Sequence, residues 1–391
     1  MGSAPVDTQQ TQMDPAPFAA LMCLLYFLAM LPQLIHHRFD TTVLIVAGEE
    51  FVDRNKVTPP VAVRSKETGY DGQFYFRLAV NPFSLAKEAY GVRIDNVPWR
   101  AQRILYPVLA HVVALGQPRW VPPALLLVNL AGLAAMAYFA ARIGGRLQSG
   151  PAFPVVIMLW PGLIMTLGRD LTEIVAAAFL LAAIDSYLGR RLVPFALFGA
   201  AATLARETSF LFLFGVFAFE ALAVIRREQP ARTAIICGLA MVPNLVWRGV
   251  VQIVTGESLT RTQIFNMDFP LFGFVKAFAA VHGVSTDDVF VIVVLVFILA
   301  FLIIVAFCIL RWRQWDGLSA GWLVLAALML CMAAATGALI APGSSLRAFT
   351  ECFVIGMIII AKTPAWRPVV WLPVLAMLWA ESWQLMTSTN W

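Results

Sequence analysis

The chain has 391 residues, of which 60% are hydrophobic and only 13% charged, with a net charge of +5 and a mean hydropathy of +0.78. Water-soluble globular chains carry roughly 45–50% apolar and about 25% charged residues. The imbalance excludes a soluble enzyme, a disordered chain and a nucleic-acid-binding module, and it leaves a polytopic membrane protein. A spanning helix takes about 20 residues, or about 30 with its loop, so the length allows on the order of ten to thirteen helices.

Residues 1–16 are polar and proline-containing and read as a short disordered cytoplasmic tail; 17–391 read as a single membrane domain. The first apolar run, Phe18–Ile35, lacks a basic leading region and a small-residue cleavage site, so it is expected to stay as an anchor. His36–Arg103 follows as the only large non-membrane segment. Ile104–Gly116 is apolar but only 13 residues long, which suits a re-entrant or interfacial helix better than a span. Spanning helices are predicted over Val121–Ala141, Pro151–Leu167, Leu171–Leu188, Leu192–Ala205, Thr208–Ile225, Thr233–Thr255, Val289–Leu310, Leu318–Ala341, Phe349–Ala361 and Pro368–Met386. With the first run, that makes eleven.

Charge orients them. With the amino terminus inside, the inner loops hold Arg142, Arg146, Arg190, Arg191, Arg226, Arg227, Arg232, Arg311, Arg313, Lys362 and Arg367 against Glu228 and Asp316. The outer turns after the first large loop hold five basic residues (Arg169, Arg206, Arg261, Lys276, Arg347) against eight acidic ones, among them Asp170, Glu173, Glu207 and Glu351. The positive-inside rule selects this orientation, and the loop 36–103 then faces outward. The five cysteines all fall in apolar stretches and show no metal-ligand spacing, so they read as small buried hydrophobes.

Several polar constellations stand out against this background. In Gly69-Tyr70-Asp71-Gly72-Gln73-Phe74-Tyr75-Phe76-Arg77, the glycines permit a tight turn around Asp71, and a short helix is predicted from Gln73. Phe74 and Leu78 share one face and Gln73 and Arg77 another, which predicts an interfacial helix with its apolar face toward lipid. Asp71 at its start would be a partly desolvated carboxylate with a raised pKa, suited to a general base, or simply an N-cap. Arg100, Gln102 and Arg103 stand with Tyr106 at the mouth of the next apolar segment; arginine forks suit phosphate oxygens, while snorkelling between aromatic anchors is the plain alternative. Arg169, Asp170 and Glu173 occupy one tight hairpin, Arg206 and Glu207 another, and Arg347 with Glu351 a third. Arg248 lies inside an apolar run and needs a partner. No Gly-rich phosphate loop, GxSxG elbow or HExxH motif occurs.

This combination resembles the GT-C superfamily of membrane glycosyltransferases, in particular bacterial relatives of the second GPI mannosyltransferase. A Trp-Asp-Gly-x-Trp-Tyr-x-x-Ile-Ala segment of those proteins is matched by Tyr70–Ala79. A Phe-Pro-Leu-Tyr-Pro-Leu run resembles Arg103–Leu109, a Tyr-Thr-Glu hairpin resembles Leu171-Thr172-Glu173 after Trp160-Pro161, and a Thr-Arg-Pro-Thr hairpin resembles Ala205-Arg206-Glu207-Thr208. The sequence looks closer still to a bacterial family linked to cell-surface glycopolymer formation. The likeness spans about residues 17–225. Tyr70 stands where those proteins have Trp, and Glu207 where they have Pro. About 35 residues separate the first helix from Asp71, more than the pattern has, which keeps Asp40 as an alternative carboxylate.

The resemblance implies an all-α GT-C-like membrane fold in a bacterial inner membrane with an extracytoplasmic active site. It implies an inverting transferase moving a sugar from a polyprenyl-phosphate donor to a glycan or glycolipid acceptor, with no cofactor and no metal. Asp71 would be the base. Arg103, Arg169, Arg206, Arg248 and Arg347 would bind the donor phosphate. Tyr70, Gln73, Arg77, Arg100, Gln102, Tyr106, Asp170, Glu173 and Glu207 would line the substrate. A lipid-linked-glycan flippase, or a non-catalytic subunit of a polysaccharide assembly system, would use the same arginines without a base.

Overall fold

A computed structural model of the chain describes residues 13–257, 267–281, 286–332, 339 and 342–387. Helix α1 (Pro15–His36) starts inside the segment expected to be disordered, because Asp14 caps it by accepting from Ala16 N and proline occupies its first position. The following loop folds as a small lobe. It contains a 3-10 turn (Thr41–Ile45), a two-residue parallel pair β1 (Ala47–Gly48) and β2 (Val63–Arg64), and helix α2 (Gly72–Val80). A hairpin, β3 (Glu88–Ala89) and β4 (Val92–Arg93), turns through Tyr90 and Gly91, both at positive φ, and short helices α3 (Val97–Ala101) and α4 (Leu105–Val113) complete the lobe.

The body follows: α5 (Val121–Leu147), α6 (Ala152–Met158), α7 (Pro161–Leu167), α8 (Glu173–Leu188), α9 (Leu192–Ala205), α10 (Glu207–Ile225), α11 (Ala231–Leu239) and α12 (Val242–Thr255). Then come α13 (Phe272–Ala280), α14 (Thr286–Arg311), α15 (Gly317–Leu330), α16 (Pro342–Ala348), α17 (Thr350–Ala361) and α18 (Pro368–Thr387). The structure is 72% helical with almost no sheet, which makes it an all-α membrane protein.

Among the described residues six segments are long and apolar enough to cross a membrane: Pro15–His36, Pro118–Leu147, Glu207–Ile225, Ala231–Thr255, Asp288–Arg311 and Pro368–Thr387. The expected run 151–167 is instead two helices, because Trp160 is extended (φ −61°, ψ 119°) and Pro161 starts a new helix. Helix α15 stops at Leu330, and most of the expected remainder to 341 lies outside the described residues, as do Arg261 and His282. Helix α4 has nine residues, about 14 Å, less than half the roughly 30 Å apolar core of a bilayer. Helices α8, α9 and α17, of 16, 14 and 12 residues, are also short, at about 24, 21 and 18 Å.

The body packs around aromatic residues: the Trp160 indole stacks on Phe353 with centroids 4.2 Å apart and donates to Thr350 Oγ1, and Trp383 Nε1 donates to Ala29 O, fastening α18 to α1. The loop lobe is not a lid on the lipid surface. All nine residues of α2 are buried. Phe74 and Leu78, expected to face lipid, pack with Ile94, Val97, Ala101 and Val251, while Tyr75, Phe76 and Ala79 pack against Tyr106, Leu125 and Val175. A helix apolar on both sides of a mixed stripe can bury itself entirely when it has partners on each face, which one face's periodicity does not reveal.

Candidate functional site

Two glycines bring Asp71 to the body. Gly69 has φ +71°, a left-handed conformation that costs other residues energy. Gly72 has no unusual φ; a Cβ there would lie 2.4 Å from Arg169 O, so its missing side chain lets the start of α2 touch the α7–α8 turn. Asp71 stands before α2, yet it makes no side-chain cap bond. Its Oδ1 pairs with Arg100 Nη1 at 2.9 Å and its Oδ2 with Arg347 Nη2 at 3.1 Å. The capping alternative therefore does not describe this carboxylate.

Arg347, from α16, is the hub. Nε donates to Tyr70 OH at 3.0 Å, Nη1 to Glu173 Oε1 at 2.9 Å and Nη2 to Asp71. Its expected partner Glu351 is bound elsewhere: it accepts from Arg206 Nη1 at 3.1 Å, Ser209 Oγ at 2.8 Å and Thr208 Oγ1. Arg206 Nη2 also reaches Glu173 Oε1 at 3.6 Å. Arg103 forms a two-pronged pair with Glu207, with Nε to Oε2 at 2.8 Å, and donates from Nη1 to Tyr75 OH at 2.8 Å. Arg100 is held from behind by both oxygens of Asp95 and lies 4.7 Å from the Phe74 ring centroid. The cluster thus ties the loop lobe to the body through Asp71, paired with Arg347, and Arg103, paired with Glu207.

Arg169 differs from its neighbours. Its guanidinium lies 4.4 Å from the Tyr70 ring centroid, with Arg347 5.0 Å from the same centroid, so two cations share one aromatic ring. No described carboxylate lies within ion-pair distance of Arg169, which is half-buried. Tyr70 OH also shares a 2.7 Å hydrogen bond with Ser344 Oγ.

The carboxylate's electrostatics run opposite to the expected raised pKa. Burial pushes the Asp71 carboxyl up, but Arg100, then Arg347 and Arg103, outweigh it and hold it well below the usual carboxylate range. Asp170, in the α7–α8 turn at φ +48°, has the reverse balance: burial pushes its carboxyl up, and the nearby Tyr106 hydroxyl, which donates to Leu125 O, offsets this only in part. Gln102 is likewise buried with both amide atoms unpartnered, as are Glu173 Oε2 and Thr172 Oγ1. Tyr106 OH donates to Leu125 O and accepts from Asn129 Nδ2, so it is a buried core tyrosine and not an interfacial anchor.

Four expected site residues lie apart from these contacts. Gln73 accepts from Gly48 N through Oε1 and donates to Thr68 O, which closes the β1 turn. Arg77 is fully buried and donates to Ser84 O, Ser84 Oγ and Ala86 O, holding the segment after α2. Arg248 sits half-buried on α12 beside Trp247, whose indole donates to Ala101 O; none of the bonds just described joins it to Asp71. Asp40 is exposed and caps the 3-10 turn through Thr42 N. Tyr75, Asp95 and Asn129 are members that sequence reasoning passed over. Tyr75 is inside the quoted motif and Asp95 is five residues before Arg100, but Asn129 carries no linear signal.

Beside the cluster lies an apolar cavity of about 450 Å³ between α4, α5, α8 and α9. Its lining residues Leu109, Val128 and Val175 are three, one and two residues from Tyr106, Asn129 and Glu173. Among the described residues no group of three or more His, Cys, Asp or Glu could hold a metal ion.

Fold and site together define a helical integral membrane protein with a buried cluster of arginines and carboxylates beneath a docked loop lobe. No family model, curated protein or solved structure matches the chain.

Proposed function

We propose that the chain is a membrane glycosyltransferase that takes a sugar from a polyprenyl-phosphate donor and attaches it to a glycan or glycolipid hydroxyl. The observation that carries this reading is the pairing of a clamped carboxylate, Asp71, with a guanidinium, Arg169, that no described carboxylate neutralises; Tyr70 and Arg347 bridge the two. The GT-C-like motifs contain Asp71, and Arg169 stands just before the Leu171-Thr172-Glu173 hairpin that resembles theirs. Eleven crossings with the amino terminus inside, in a bacterial inner membrane, place the cluster on the extracytoplasmic side, where nucleotide sugars are absent and a lipid-carried donor is needed.

In this mechanism the donor phosphate binds Arg169 and draws Arg347 toward itself, with Arg206 as the further cation. The apolar cavity beside Glu173 takes the first part of the polyprenyl chain. Loss of Arg347 as a neighbour raises the Asp71 pKa toward that of an effective base. The acceptor hydroxyl oxygen then attacks the anomeric carbon, its proton passes to Asp71, and the bond from the anomeric carbon to the phosphate oxygen breaks, with the electron pair leaving on polyprenyl phosphate. The configuration inverts because one displacement occurs.

Purified protein in nanodiscs, offered a panel of polyprenyl-phosphate sugars and glycolipid acceptors, is expected to release polyprenyl phosphate. Asp71→Asn is expected to lower that turnover at least about a hundredfold while donor binding persists. Arg169→Gln is expected to weaken donor binding. Full turnover in Asp71→Asn would remove this residue from the chemistry. Translocation of the donor with no turnover under any condition would establish the flippase instead.

A further inference from the structure

The far end of the same helices carries a second charged cluster that the proposed reaction does not use. Asp185, near the end of α8, is fully buried and takes ion pairs from three arginines: Arg146 Nε on Oδ1 at 2.6 Å, and Arg191 Nη2 at 2.7 Å and Arg142 Nη2 at 3.2 Å on Oδ2. Arg142 and Arg146 come from the last turns of α5 and Arg191 from the start of α9. Twelve residues of α8 separate Asp185 from Glu173, about 18 Å along the axis.

One carboxylate cannot balance three guanidiniums, and the surplus is two positive charges. The arginine side chains are 32%, 36% and 47% exposed, so their heads reach out of the body while Asp185 does not. A guanidinium has five N–H donors. Asp185 and, for Arg142, the Tyr138 hydroxyl at 3.4 Å account for only part of that capacity. The spare donors have a common space. Two forks converge beside Gly189: a Cβ there would lie 3.3 Å from Arg146 Nη2, Arg191 Nε and Asp185 O alike, so a side chain at this position would crowd them.

We propose that this cluster is a phosphate site: the guanidiniums of Arg142, Arg146 and Arg191, prearranged by buried Asp185, bind a phosphate monoanion or phosphodiester over Gly189. Planar forks with a fixed spread match phosphate oxygens better than a lysine would. The buried carboxylate orients the forks and offsets one of their three charges, which leaves two for a ligand. The site is independent of the transferase activity proposed above.

The test uses the full chain in phosphatidylcholine nanodiscs. One arm measures retention of phosphatidylglycerol by native mass spectrometry, and the other measures binding of radiolabelled inorganic phosphate. Binding in the first arm alone assigns the phosphate to a lipid headgroup; binding in the second assigns it to free phosphate; either supports the site, and binding in neither overturns it. Asp185→Asn removes the internal counter-charge and is expected to tighten binding by about tenfold, the scale of one charge-assisted hydrogen bond. The combined change Asp185→Asn, Arg146→Gln and Arg191→Gln keeps the interior free of an unpaired charge and is expected to abolish binding. Unchanged or weaker binding in Asp185→Asn, or binding retained in the triple variant, would show that the arginines only neutralise Asp185.

Discussion

Removing Arg347 is expected to be more damaging than removing the carboxylate it clamps. Arg347→Gln strips Tyr70, Asp71 and Glu173 of one donor each. Asp71 keeps Arg100, but fully buried Glu173 is left with Arg206 at 3.6 Å and already has one oxygen unpartnered. Leaving such a charge uncompensated costs about 3–5 kcal/mol. Asp71→Asn is milder: Arg347 retains Glu173 and Arg100 retains Asp95, so about 1–2 kcal/mol is expected. Thermal unfolding can be followed with a thiol-reactive fluorophore, because Cys237, Cys308 and Cys352 are buried free thiols. A melting temperature lower by about 4–6 °C is expected for Arg347→Gln, and by no more than about 3 °C for Asp71→Asn. Equal losses, or an Arg347→Gln protein that melts within about 1 °C of the parent, would refute the view that this arginine is the central charge compensator.

Three further outcomes follow from the same contacts. The folded Asp71 pKa lies below its ordinary value of 3.8, so its contribution to stability is complete above that value and fades as pH falls beneath it; thermal melts should show an acid-limb loss below about pH 4 that Asp71→Asn shallows. Gly72→Ala places a Cβ 2.4 Å from Arg169 O and should undock the lobe, seen as faster proteolysis within 46–70, whereas Gly150→Ala, with nothing within 4 Å but a positive φ, should cost only about 1 kcal/mol. Arg77→Met removes the donors that hold Ser84 and Ala86, and should raise hydrogen exchange across 81–89 while leaving the body unchanged.

The membrane class was legible because it rests on composition, and the short reach of Ile104–Gly116 was legible because it rests on length. The break at Trp160–Pro161 was signalled by the proline, but an uninterrupted apolar run masked it. The charged turns were also visible as places where polar residues interrupt apolar helices. Their pairing was not: Arg347 and Glu351 are neighbours in sequence, yet Arg347 reaches 276 residues back to Asp71 and Glu351 reaches 145 residues back to Arg206. Long arginine side chains select partners by three-dimensional distance. The sign of the Asp71 pKa shift depended on that selection, since burial alone would have raised it.

Helix length explains how so many charges can sit inside this body. Helices α8, α9 and α17 fall short of a bilayer's apolar thickness, at about 24, 21 and 18 Å against roughly 30 Å. Their ends carry or adjoin Glu173, Arg206 and Glu351, and all three charges are buried. The loop lobe packs against this region, with all nine residues of α2 buried and with Asp71 and Arg103 pairing to Arg347 and Glu207 of the body. Arginine suits this joint because one guanidinium can satisfy partners on several elements at once, as Arg347 does with Tyr70, Asp71 and Glu173. In the proposed reaction a donor phosphate meets Arg169, which no described carboxylate neutralises, and then competes with Asp71 for Arg347, so donor binding and release of Asp71 are coupled.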